Sequence, residues 1–464
     1  MRRFLKPVTF LIVASLFLTT GQGCVGGGGG GQQLEQVTLN YWRVFDDSGD
    51  FRDIINAYRA LHPNVKINYR KLRYDEYEEE LVRAIAEGRG PDIFSMHNTW
   101  MNEYQNLMEP MPSSVTIQNQ ETRGTLRQEM VVVETTKPTP SITTLKNDYV
   151  EQVAKDAVLS YKATTRSDAQ SRIYGFPLSV DSLALFYNRD LLDAAGIPTP
   201  PQNWEEFQAV IPQLTSYDID GNITQSGAAL GTSQNVERST DILSLLMMQT
   251  GTQMTDARGR VAFNTVPEGS PKGFYPGLNA LQFYTDYANP TKQVYTWNEN
   301  YPNSFEAFAN GQTAFFFGYS YHIPLLRTAA PRLNFAVASM PQIEGGRDVN
   351  YANYWLEVVS NDTKNSNWAW DFLMFASSAE NVTSYLDRTD KPTALRNLVN
   401  SQLDDGQVAI FAAQTLTAES WYRGSDATAA ENALKNLIDD YLKARYEDPA
   451  DAMELAANRV QQTY

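Results

Sequence analysis

Apolar and polar residues between Val37 and His97 recur in a pattern that predicts three strands separated by two helices. The strand-like stretches are VTLNYW (37–42), VKINY (65–69) and PDIFSM (91–96). Between them, apolar residues have helical spacing over 51–61 and 75–88, and Asp50 is the expected N-cap of the first helix. Strands and helices that alternate at this spacing predict a parallel, doubly wound α/β sheet.

The later chain keeps the mixed pattern of helices and strands. Residues 112–146 are polar and interrupted by prolines, which predicts an inserted surface segment with a small hairpin near Met130–Glu134. A helix is expected from Asp148 to about Ala157, and a strand over 173–188. Further helices are predicted at 203–215, 305–311, 365–377 and 430–446, with an apolar strand at 312–318.

The composition limits the chemistry that the chain can perform. Its 464 residues suffice for two large lobes whose buried cores need no disulfide or metal. A single cysteine excludes an internal disulfide and a multi-cysteine zinc site, and the three histidines are scattered, so no metal and no cofactor are expected. The formal net charge is −16, and such an acidic surface repels phosphate backbones, so we expect no nucleic-acid partner.

The amino terminus has the pattern of an export signal. The basic head MRRFLK precedes twelve uncharged apolar residues at 7–18, which are too few to span a membrane comfortably. Small residues then lead to Cys24, and six glycines follow at 26–31. The pattern predicts a signal peptide at 1–23 and export of the remaining chain.

A lone cysteine followed by a flexible segment resembles the amino terminus of bacterial lipoproteins. This resemblance implies that Cys24 carries a lipid and that residues 24–35 form a glycine-rich tether. Gly21 and Gly23 also suit cleavage after small residues without lipidation, which is the alternative. No later apolar run reaches membrane-spanning length.

Motifs of common catalytic sites do not occur in the sequence. The patterns G-x-G-x-x-G, G-x-x-x-x-G-K-[ST], G-x-S-x-G and H-E-x-x-H are all missing. Asp218 and Asp220 begin a stretch like a calcium loop, but its twelfth position is Ala229, so we expect a turn between strands. The acidic pair that we nominate for glycoside hydrolysis, should the protein be an enzyme, is Asp46 with Asp181.

Aromatic residues stand beside polar residues at the predicted strand ends. The five stretches are YWR (41–43), HNTW (97–100), GYSYH (318–322), ANYW (352–355) and ESWYRG (419–424). Ligands of doubly wound sheets bind beyond the carboxyl ends of the strands. Aromatic faces stack on the apolar faces of sugar rings, while polar neighbours hydrogen-bond the hydroxyl groups. The pattern favours carbohydrate binding, and packing of these rings in the core is the alternative.

Five stretches, taken in order, carry a family resemblance. They are AEGRGPDIF (86–94), YGFPLSVDSLALFYNRDLLDAAGIPTPPQNWEEF (174–207), FEAFANGQTAFFFGYSY (305–321), DRTDKPT (387–393) and SWYRGSDATAAENALKNLID (420–439). Together they resemble the extracellular solute-binding proteins of bacterial ABC importers, in the family 1 group that includes maltose-binding proteins. The resemblance implies an α/β, two-lobed periplasmic-binding-protein fold with doubly wound sheets and an interlobe ligand cleft that closes by hinge bending.

The resemblance also implies the boundaries of the two lobes. The first lobe is expected at 36–180 plus 356–390, with the insertion at 112–146, and the second at 182–352 plus 393–464. The chain is expected to cross between the lobes near Val180–Ser182, Ala352–Leu356 and Lys391–Pro392.

Carried over position by position, the resemblance implies a set of ligand-binding residues. They are Trp42, Arg43, Asp46, His97, Asn98, Trp100, Asp181, Tyr319, Tyr321, Asn353, Tyr354, Trp355, Arg388, Trp421 and Tyr422. Asp181 holds the acidic crossover position that contacts sugar in maltose-type members, and Trp421 matches the family's stacking tryptophan. Tyr319 or Tyr321 replaces a tryptophan that is usual in the family, and residues 353–355 stand where the family more often has glycines.

The expected function is that of a membrane-tethered receptor. We expect a monomer that captures a mono- or oligosaccharide and delivers it to an ABC permease, with its lipid anchor holding it outside the cell or in the periplasm. No catalytic residue is expected. A polyol, a glycerol phosphodiester or a peptide is an alternative ligand. The alternative functions are an exported glycan-degrading enzyme and an adhesion or envelope scaffold with an inactive cleft.

Overall fold

The computed structural model describes residues 34–124, 128–271 and 273–464. The predicted signal peptide, the predicted lipidation site Cys24 and nearly all of the predicted tether lie outside these residues. No helix within the described ranges is long and apolar enough to cross a membrane.

Residues 35–117 and 134–464 form one compact unit, which contains both large sheets and the site described below. Its strands and those of the inserted segment are β1 (Val37–Val44), β2 (Val65–Leu72), β3 (Ile93–His97), β4 (Ser114–Arg123), β5 (Glu129–Pro138), β6 (Val158–Tyr161), β7 (Gln170–Ile173), β8 (Gly175–Phe176), β9 (Asp181–Ser182), β10 (Ala184–Asn188), β11 (Ser216–Tyr217), β12 (Ile223–Ala228), β13 (Thr313–Gly318), β14 (Phe335–Ala338), β15 (Asn350–Asn353), β16 (Trp355–Val359) and β17 (Ala418–Glu419).

The helices surround these strands. They are α1 (Arg52–Leu61), α2 (Tyr74–Ala86), α3 (Ile142–Asp148), α4 (Glu151–Ala157), α5 (Arg189–Ala194), α6 (Trp204–Leu214), α7 (Ser239–Gln249), α8 (Pro276–Asp286), α9 (Ser304–Ala309), α10 (His322–Ala329), α11 (Ser366–Ala376), α12 (Ala379–Thr389), α13 (Arg396–Gln402), α14 (Val408–Gln414), α15 (Ala427–Leu442) and α16 (Pro449–Gln461).

The first large sheet has the strand order β2-β1-β3-β16-β8. The strands β2, β1 and β3 are parallel, as the alternation of strands and helices predicts, and the later strand β16 joins β3 in the antiparallel direction. Tyr41 of β1 packs edge-on against Phe51 and Phe372, with ring centroids 5.6 and 6.0 Å away. These buried rings fix the helices α1 and α11 against the sheet.

The second large sheet has the order β11-β12-β13-β10-β14 and mixes parallel and antiparallel pairs. The strand β13 is buried along its whole length. Phe207 of α6 contacts Phe315 and Phe317 of β13, with ring centroids 5.2 and 5.8 Å away. The two sheets with their helices confirm the predicted α/β class.

A small third sheet joins the segments that pass between the two large ones. Its order is β17-β15-β9, with Ala352 beside Ser182 and Asn353 beside Asp181. Two of the predicted crossings therefore lie next to each other in one sheet. The predicted lobe boundaries themselves stay predictions.

The prediction that Asp50 caps the first helix is wrong. Phe51 is the N-cap, and it makes no side-chain capping bond. The carboxylate of Asp50 instead accepts a hydrogen bond from the backbone N–H of Asp47 at 2.8 Å. The aspartate therefore stabilises the turn before the helix, which is a common local use of this side chain.

Several predicted elements have different boundaries in the structure. The small hairpin expected near residues 130–134 is the longer pair β4 and β5. The helix expected from Asp148 to about Ala157 is α4, which begins later, at Glu151, and the strand expected over 173–188 is the three short strands β8, β9 and β10. The turn predicted at Asp218 is confirmed, because its carboxylate accepts hydrogen bonds from the N–H groups of Asp220 and Asn222. The helices α3, α5, α7, α8, α10, α12, α13, α14 and α16 were not predicted.

Candidate functional site

A cleft lies where the carboxyl end of β3 meets α7, β15 and the start of α15. One part of it is a narrow cavity of about 30 Å³. It is lined by His97, Asn98, Thr99, Arg238, Thr240, Asp241, Ser244, Tyr351, Ala352, Asn353, Trp421, Tyr422, Ala427, Ala430, Glu431 and Leu434. An adjoining cavity of about 250 Å³ shares five of these residues and reaches Tyr74, Asp75, Glu78, Glu79, Trp100 and Thr428.

His97 is held in its neutral form at the end of β3. Its Nδ1 lies 2.7 Å from the Thr99 hydroxyl and accepts from the Thr99 backbone N–H at 3.4 Å, so Nε2–H donates to Asn353 Oδ1 at 3.1 Å. Burial lowers the pKa of His97 to about 4. At neutral pH the ring therefore contributes hydrogen bonding and packing to the cleft, and no charge.

Arg238 brings a charged guanidinium to the cleft. Its φ of +57° is uncommon for a residue other than glycine, and it places Arg238 at the N-cap of α7. The guanidinium contacts Asp241 at 2.7 and 3.0 Å and lies 3.8 Å from Glu431. Burial alone would lower the pKa of Arg238, but Asp241 and Glu431 outweigh it and raise the pKa, so the guanidinium stays charged.

Asp156, near the end of α4, is a buried carboxylate surrounded by donors behind the cavity. The donors are the Arg423 guanidinium at 2.8 Å, the Tyr354 hydroxyl at 2.8 Å, the Gln152 amide at 2.8 Å, the Ser420 hydroxyl at 3.1 Å and the Asn98 amide at 3.4 Å. These bonds join α4 to Tyr354 and to the segment that carries Trp421. The predicted site residue Tyr354 is thus committed to Asp156.

Asn98 is buried at the wall of the cavity and has one unused acceptor. Its side-chain amide N–H donates to Asp156 and to Ser420, whereas its Oδ1 has no hydrogen-bond partner. A buried acceptor without a partner carries a desolvation cost that a donor from a ligand can remove. Asn98 thus lines the cavity and keeps this acceptor unpaired, and its contact with a ligand stays a prediction.

Trp421 and Tyr422 line the same cavity from the segment between β17 and α15. The indole N–H of Trp421 donates to the Ser244 hydroxyl at 3.1 Å, and the Tyr422 hydroxyl donates to the Thr463 hydroxyl at 2.8 Å. Because these polar atoms have protein partners, the ring is the part of each residue that remains for contact with a ligand, and such contact stays a prediction.

Four rings stack in a series beside the cavity. Tyr74, Phe45, Tyr321 and Tyr319 follow one another with centroid distances of 5.8, 6.2 and 6.0 Å and interplanar angles of 16°, 5° and 15°. Phe45 follows β1 of the first sheet and Tyr321 follows β13 of the second sheet, so the series connects the two. The Tyr319 hydroxyl donates to Asp241 at 2.6 Å.

Trp355 joins the cavity wall to the ring series. It makes edge-on contacts with Trp100 at 5.4 Å, with His97 at 5.1 Å and with Phe45 at 6.2 Å. The predicted residues Trp100 and Trp355 therefore lie together at the first-sheet side of the cleft, although both are mostly buried by these contacts.

Asp181 lies beside the cleft but is occupied by protein donors. Its Oδ2 accepts from the Ser320 N–H at 3.0 Å and the Ser320 hydroxyl at 2.7 Å, and its Oδ1 accepts from the Ser182 N–H at 2.8 Å. Burial raises the pKa of Asp181 to about 6, against the effect of these bonds. Contact of Asp181 with a sugar stays a prediction.

The structure does not bring Trp42 and Arg388 to the cavity. The Trp42 ring packs under the Arg70 guanidinium, 4.5 Å from its carbon, on the strand pair β1 and β2. Arg388 is exposed at the end of α12 and forms an ion pair with Asp53 of α1. Trp42 therefore contributes packing on the first sheet, and Arg388 links the helices α12 and α1 by a surface ion pair.

Arg43 and Asp46 also lie away from the cavity lining, in a buried ionic network. Arg43 lies 3.1 Å from Asp46 and 3.0 Å from Glu357, and Asp46 contacts Lys391 at 2.5 Å and accepts from the Tyr385 hydroxyl at 2.9 Å. Burial alone would raise the pKa of Asp46, but Lys391 and Arg43 outweigh it and lower the pKa. The charged groups of Arg43 and Asp46, which the resemblance assigned to ligand binding, are therefore paired with protein groups.

The cleft residues that were missed from the sequence include Phe45, Tyr74, Arg238, Asp241 and Glu431. Phe45 follows the YWR stretch directly, so its position after a strand was an available signal. The other four lie in helices or at their starts, where nothing in the local pattern separates them from surface residues. Among the described residues no group of three or more His, Cys, Asp or Glu side chains is placed to hold a metal ion.

Comparison with known families identifies a match over most of the chain. The family described as bacterial extracellular solute-binding protein matches residues 53–409. The galactooligosaccharide-binding protein of Bacillus subtilis (strain 168) is 20% identical over 437 residues, which cover 90% of this chain and 87% of that protein. Relatives of this kind are binding proteins rather than enzymes.

Solved structures share the fold. A solute-binding protein of an ABC transporter from Thermotoga lettingae, bound with α-D-tagatose, has a TM-score of 0.64 and 18% identity, and the alignment covers 92% of this chain and 99% of that one. The cyclic α-maltosyl-1,6-maltose binding protein from Arthrobacter globiformis has a TM-score of 0.69 and 16% identity, with 92% and 98% covered. These likenesses confirm the predicted two-lobed fold.

Proposed function

This chain belongs to the family of bacterial extracellular solute-binding proteins, and we propose that it captures a carbohydrate in its cleft and delivers it to an ABC importer. The observation that carries the proposal is the pairing of ring surface with an unused buried acceptor in one cavity. Trp421 and Tyr422 supply the rings, and Asn98 Oδ1 supplies the acceptor. Stacking on rings together with hydroxyl donation to fixed acceptors is how proteins bind sugars.

The named relatives support the choice of ligand class. The Bacillus subtilis relative is a galactooligosaccharide-binding protein, and the Thermotoga and Arthrobacter structures are those of proteins that bind tagatose and a cyclic maltosyl-maltose. A mono- or oligosaccharide is therefore the ligand that we propose for this chain.

The remaining parts of the proposal concern the tether and the motion. We propose an exported monomer, anchored by a lipid on Cys24, whose glycine-rich segment lets the receptor reach its permease. Its two lobes, bounded as the resemblance implies, close on the sugar by bending at the crossings near residues 181, 353 and 391. The adjacency of β9 and β15 in the small sheet supports a hinge there.

The side chains around the cleft favour binding of a sugar without its hydrolysis. The acidic pair nominated for glycoside hydrolysis is Asp46 with Asp181. Asp46 is buried and ion-paired with Lys391 and Arg43, and Asp181 is bound by Ser320. A hydrolase needs one carboxyl on each side of a bound sugar. Release of a chromogenic aglycone from glycosides would contradict the absence of catalysis.

The test of sugar binding is titration calorimetry of the purified protein, after a thermal-shift screen with tagatose, maltose, maltotriose and galactooligosaccharides. We expect at least one of these sugars to bind. Trp421→Ala should bind it at least about tenfold more weakly, because a buried aromatic contact is worth about 1.4 kcal/mol or more.

The matched control is Tyr275→Ala, which removes an exposed ring at the start of α8, away from the cavity lining. This variant should bind like the wild type. Equal affinity of Trp421→Ala and Tyr275→Ala would contradict the assignment of the cleft, and no binding across the whole panel would contradict carbohydrate capture.

A further inference from the structure

The charges around the cleft indicate which carbohydrates it accepts. We propose that the cleft selects its ligand by charge: it binds neutral sugars and sugars that carry a protonated amine, and it rejects sugars that carry a carboxylate or phosphate. The inference rests on the proposed function, because it concerns the same cleft and narrows its ligand class.

Arg238 is the single lysine or arginine among the described residues that line the two cavities. Its guanidinium is already bound in two places by Asp241, a residue that is only 3% exposed. An acidic ligand that took this guanidinium would leave the buried Asp241 without its cation, which is costly. Arg238 is therefore not available to bind an anion.

Carboxylates outnumber this one cation. Asp241 and Glu431 line the 30 Å³ cavity, and Asp75, Glu78 and Glu79 line the 250 Å³ cavity. With His97 neutral, the lining residues carry more negative than positive charge at neutral pH. An anion that enters such a cleft meets repulsion, and a cation meets attraction.

Of the carboxylates that line the cleft, Glu78 and Glu431 have the weakest pairing with positively charged side chains. Glu78 accepts a hydrogen bond from the neutral Tyr104 hydroxyl and forms no ion pair within the described part of the chain. Among the described residues, Glu431 forms an ion pair only with the shared Arg238, at 3.8 Å, and Lys435 acts on it more weakly. Burial raises the pKa of Glu431 in spite of Arg238, as expected for a carboxylate that lacks a full partner.

The rim carboxylates contribute less. Asp75 lies 3.7 Å from Arg73 and Glu79 lies 3.8 Å from Arg83, so each has a cation beside it. Both carboxylates are well exposed, and salt screens exposed charges. Selection by charge therefore depends mainly on Glu78 and Glu431.

The unused acceptor in the cavity wall points to the same ligand chemistry independently of charge. Asn98 is 3% exposed, lines the 30 Å³ cavity and has no partner for Oδ1. A hydroxyl or a protonated amine can donate to this oxygen, whereas a carboxylate or phosphate group can only accept. An acidic group placed there would leave two acceptors facing each other.

The experiment compares matched oligosaccharides by titration calorimetry with the full mature chain near neutral pH. One set contains galactooligosaccharides, galactosamine oligomers and galacturonate oligomers of equal length, and a second set contains the corresponding gluco-sugars. Within the set that binds, the uronate oligomer should bind at least about tenfold more weakly than the neutral one. The amine oligomer should bind at least as tightly as the neutral one, and added salt should reduce both differences.

Two variants locate the effect. Glu78→Gln combined with Glu431→Gln should raise the affinity for the uronate relative to the neutral oligomer and lower that for the amine. Both substitutions keep a side-chain oxygen that can accept hydrogen bonds, so folding should be preserved. The control is Glu454→Gln on α16, which removes an exposed charge outside the cleft and should leave the ratios unchanged.

The outcomes separate the two proposals. A uronate or sugar phosphate that binds as tightly as its neutral counterpart overturns selection by charge while leaving carbohydrate capture intact. Selection by charge is also overturned if the double variant and the Glu454→Gln control give equal affinity ratios. Failure of every sugar in both sets overturns the proposed function and the inference with it.

Discussion

At the scale of single residues, Asp181 combines burial with neutral partners. The N–H and hydroxyl of Ser320 and the N–H of Ser182 all bind its carboxylate, yet burial still raises its pKa to about 6 from 3.8. Because the pKa is higher in the folded state, protonation favours folding. This contribution to stability is fully present below about pH 3.8 and is lost as the pH rises through about 6.

We therefore predict that Asp181→Asn changes the pH dependence of stability. The asparagine does not titrate, so the free energy of unfolding of the wild type should fall relative to that of the variant between about pH 4 and pH 7. The difference amounts to at most about 3 kcal/mol, since one pKa unit corresponds to about 1.4 kcal/mol. Urea unfolding at a series of pH values measures it.

Asp53→Asn is the control for this experiment, because the exposed Asp53 has the opposite shift. Its ion pair with Arg388 lowers its pKa although desolvation alone acts to raise it. Any difference between the wild type and this variant should therefore appear at low pH, where protonation of Asp53 removes the ion pair that stabilises the wild type. Parallel unfolding curves for the wild type and Asp181→Asn at all pH values would show that the Asp181 carboxylate is not the source.

Single-residue environments were also where prediction from sequence was weakest. Arg43 follows a strand in a stretch with aromatic neighbours, which is the position of a ligand contact. Two of its actual partners, Glu357 and Tyr385, come from distant parts of the chain. Charge and position alone do not reveal such partners, because a buried ion pair depends on which elements the fold places side by side.

At the scale of elements, local pattern predicted well where one amphipathic face decides the structure. The strands β1 to β3 and the helices between them match their predictions. Each of these helices buries one apolar face against the sheet that the strands form. The helix expected over 148–157 is confirmed as α4, but it begins only at Glu151 because a distant partner intervenes before it. The N–H of Val150 donates to the Ala394 carbonyl at 3.0 Å, which separates α3 from α4. No window of local sequence contains that partner.

The helix α4 matters for the site because it carries Asp156, and we predict that Asp156→Asn acts on the Trp421 segment. The variant replaces acceptor capacity with N–H groups that face Arg423 and Ser420. The free energy of unfolding should fall by about 1.5–3 kcal/mol, the value of hydrogen bonds to a charged group. Sugar affinity should fall as well, because the segment that presents Trp421 loses its anchor.

Denaturant unfolding and calorimetric titration measure the two effects. The matched control is Glu151→Gln on the same helix, whose carboxylate is exposed and pairs with Lys155. It should change stability by less than about 0.5 kcal/mol and leave binding intact. If Asp156→Asn lost stability but bound sugar like the wild type, the carboxylate would support only the fold and not the position of Trp421.

At the scale of the whole molecule, the series of stacked rings limits how far the two sheets can separate. Phe45 and Tyr321 are both substantially exposed, at 48% and 38%, yet their rings lie parallel with centroids 6.2 Å apart. Phe45 also has a φ of +72°, a strained conformation for phenylalanine that aims the ring away from the strand path. Any hinge motion that opens the cleft must break this contact.

We therefore predict that Tyr321→Ala shifts the ligand-free protein towards a more open state. A stacked aromatic pair is worth about 0.5–1.5 kcal/mol, which changes the ratio of closed to open molecules by about 2- to 10-fold. The radius of gyration from small-angle X-ray scattering should be larger for Tyr321→Ala than for the wild type, and a saturating sugar should reduce the difference. Tyr275→Ala removes a similarly exposed ring that lies outside the cleft, and it should scatter like the wild type. Equal radii for all three proteins would show that the rings touch without holding the sheets together, and closure would then depend on the crossings and the ligand alone.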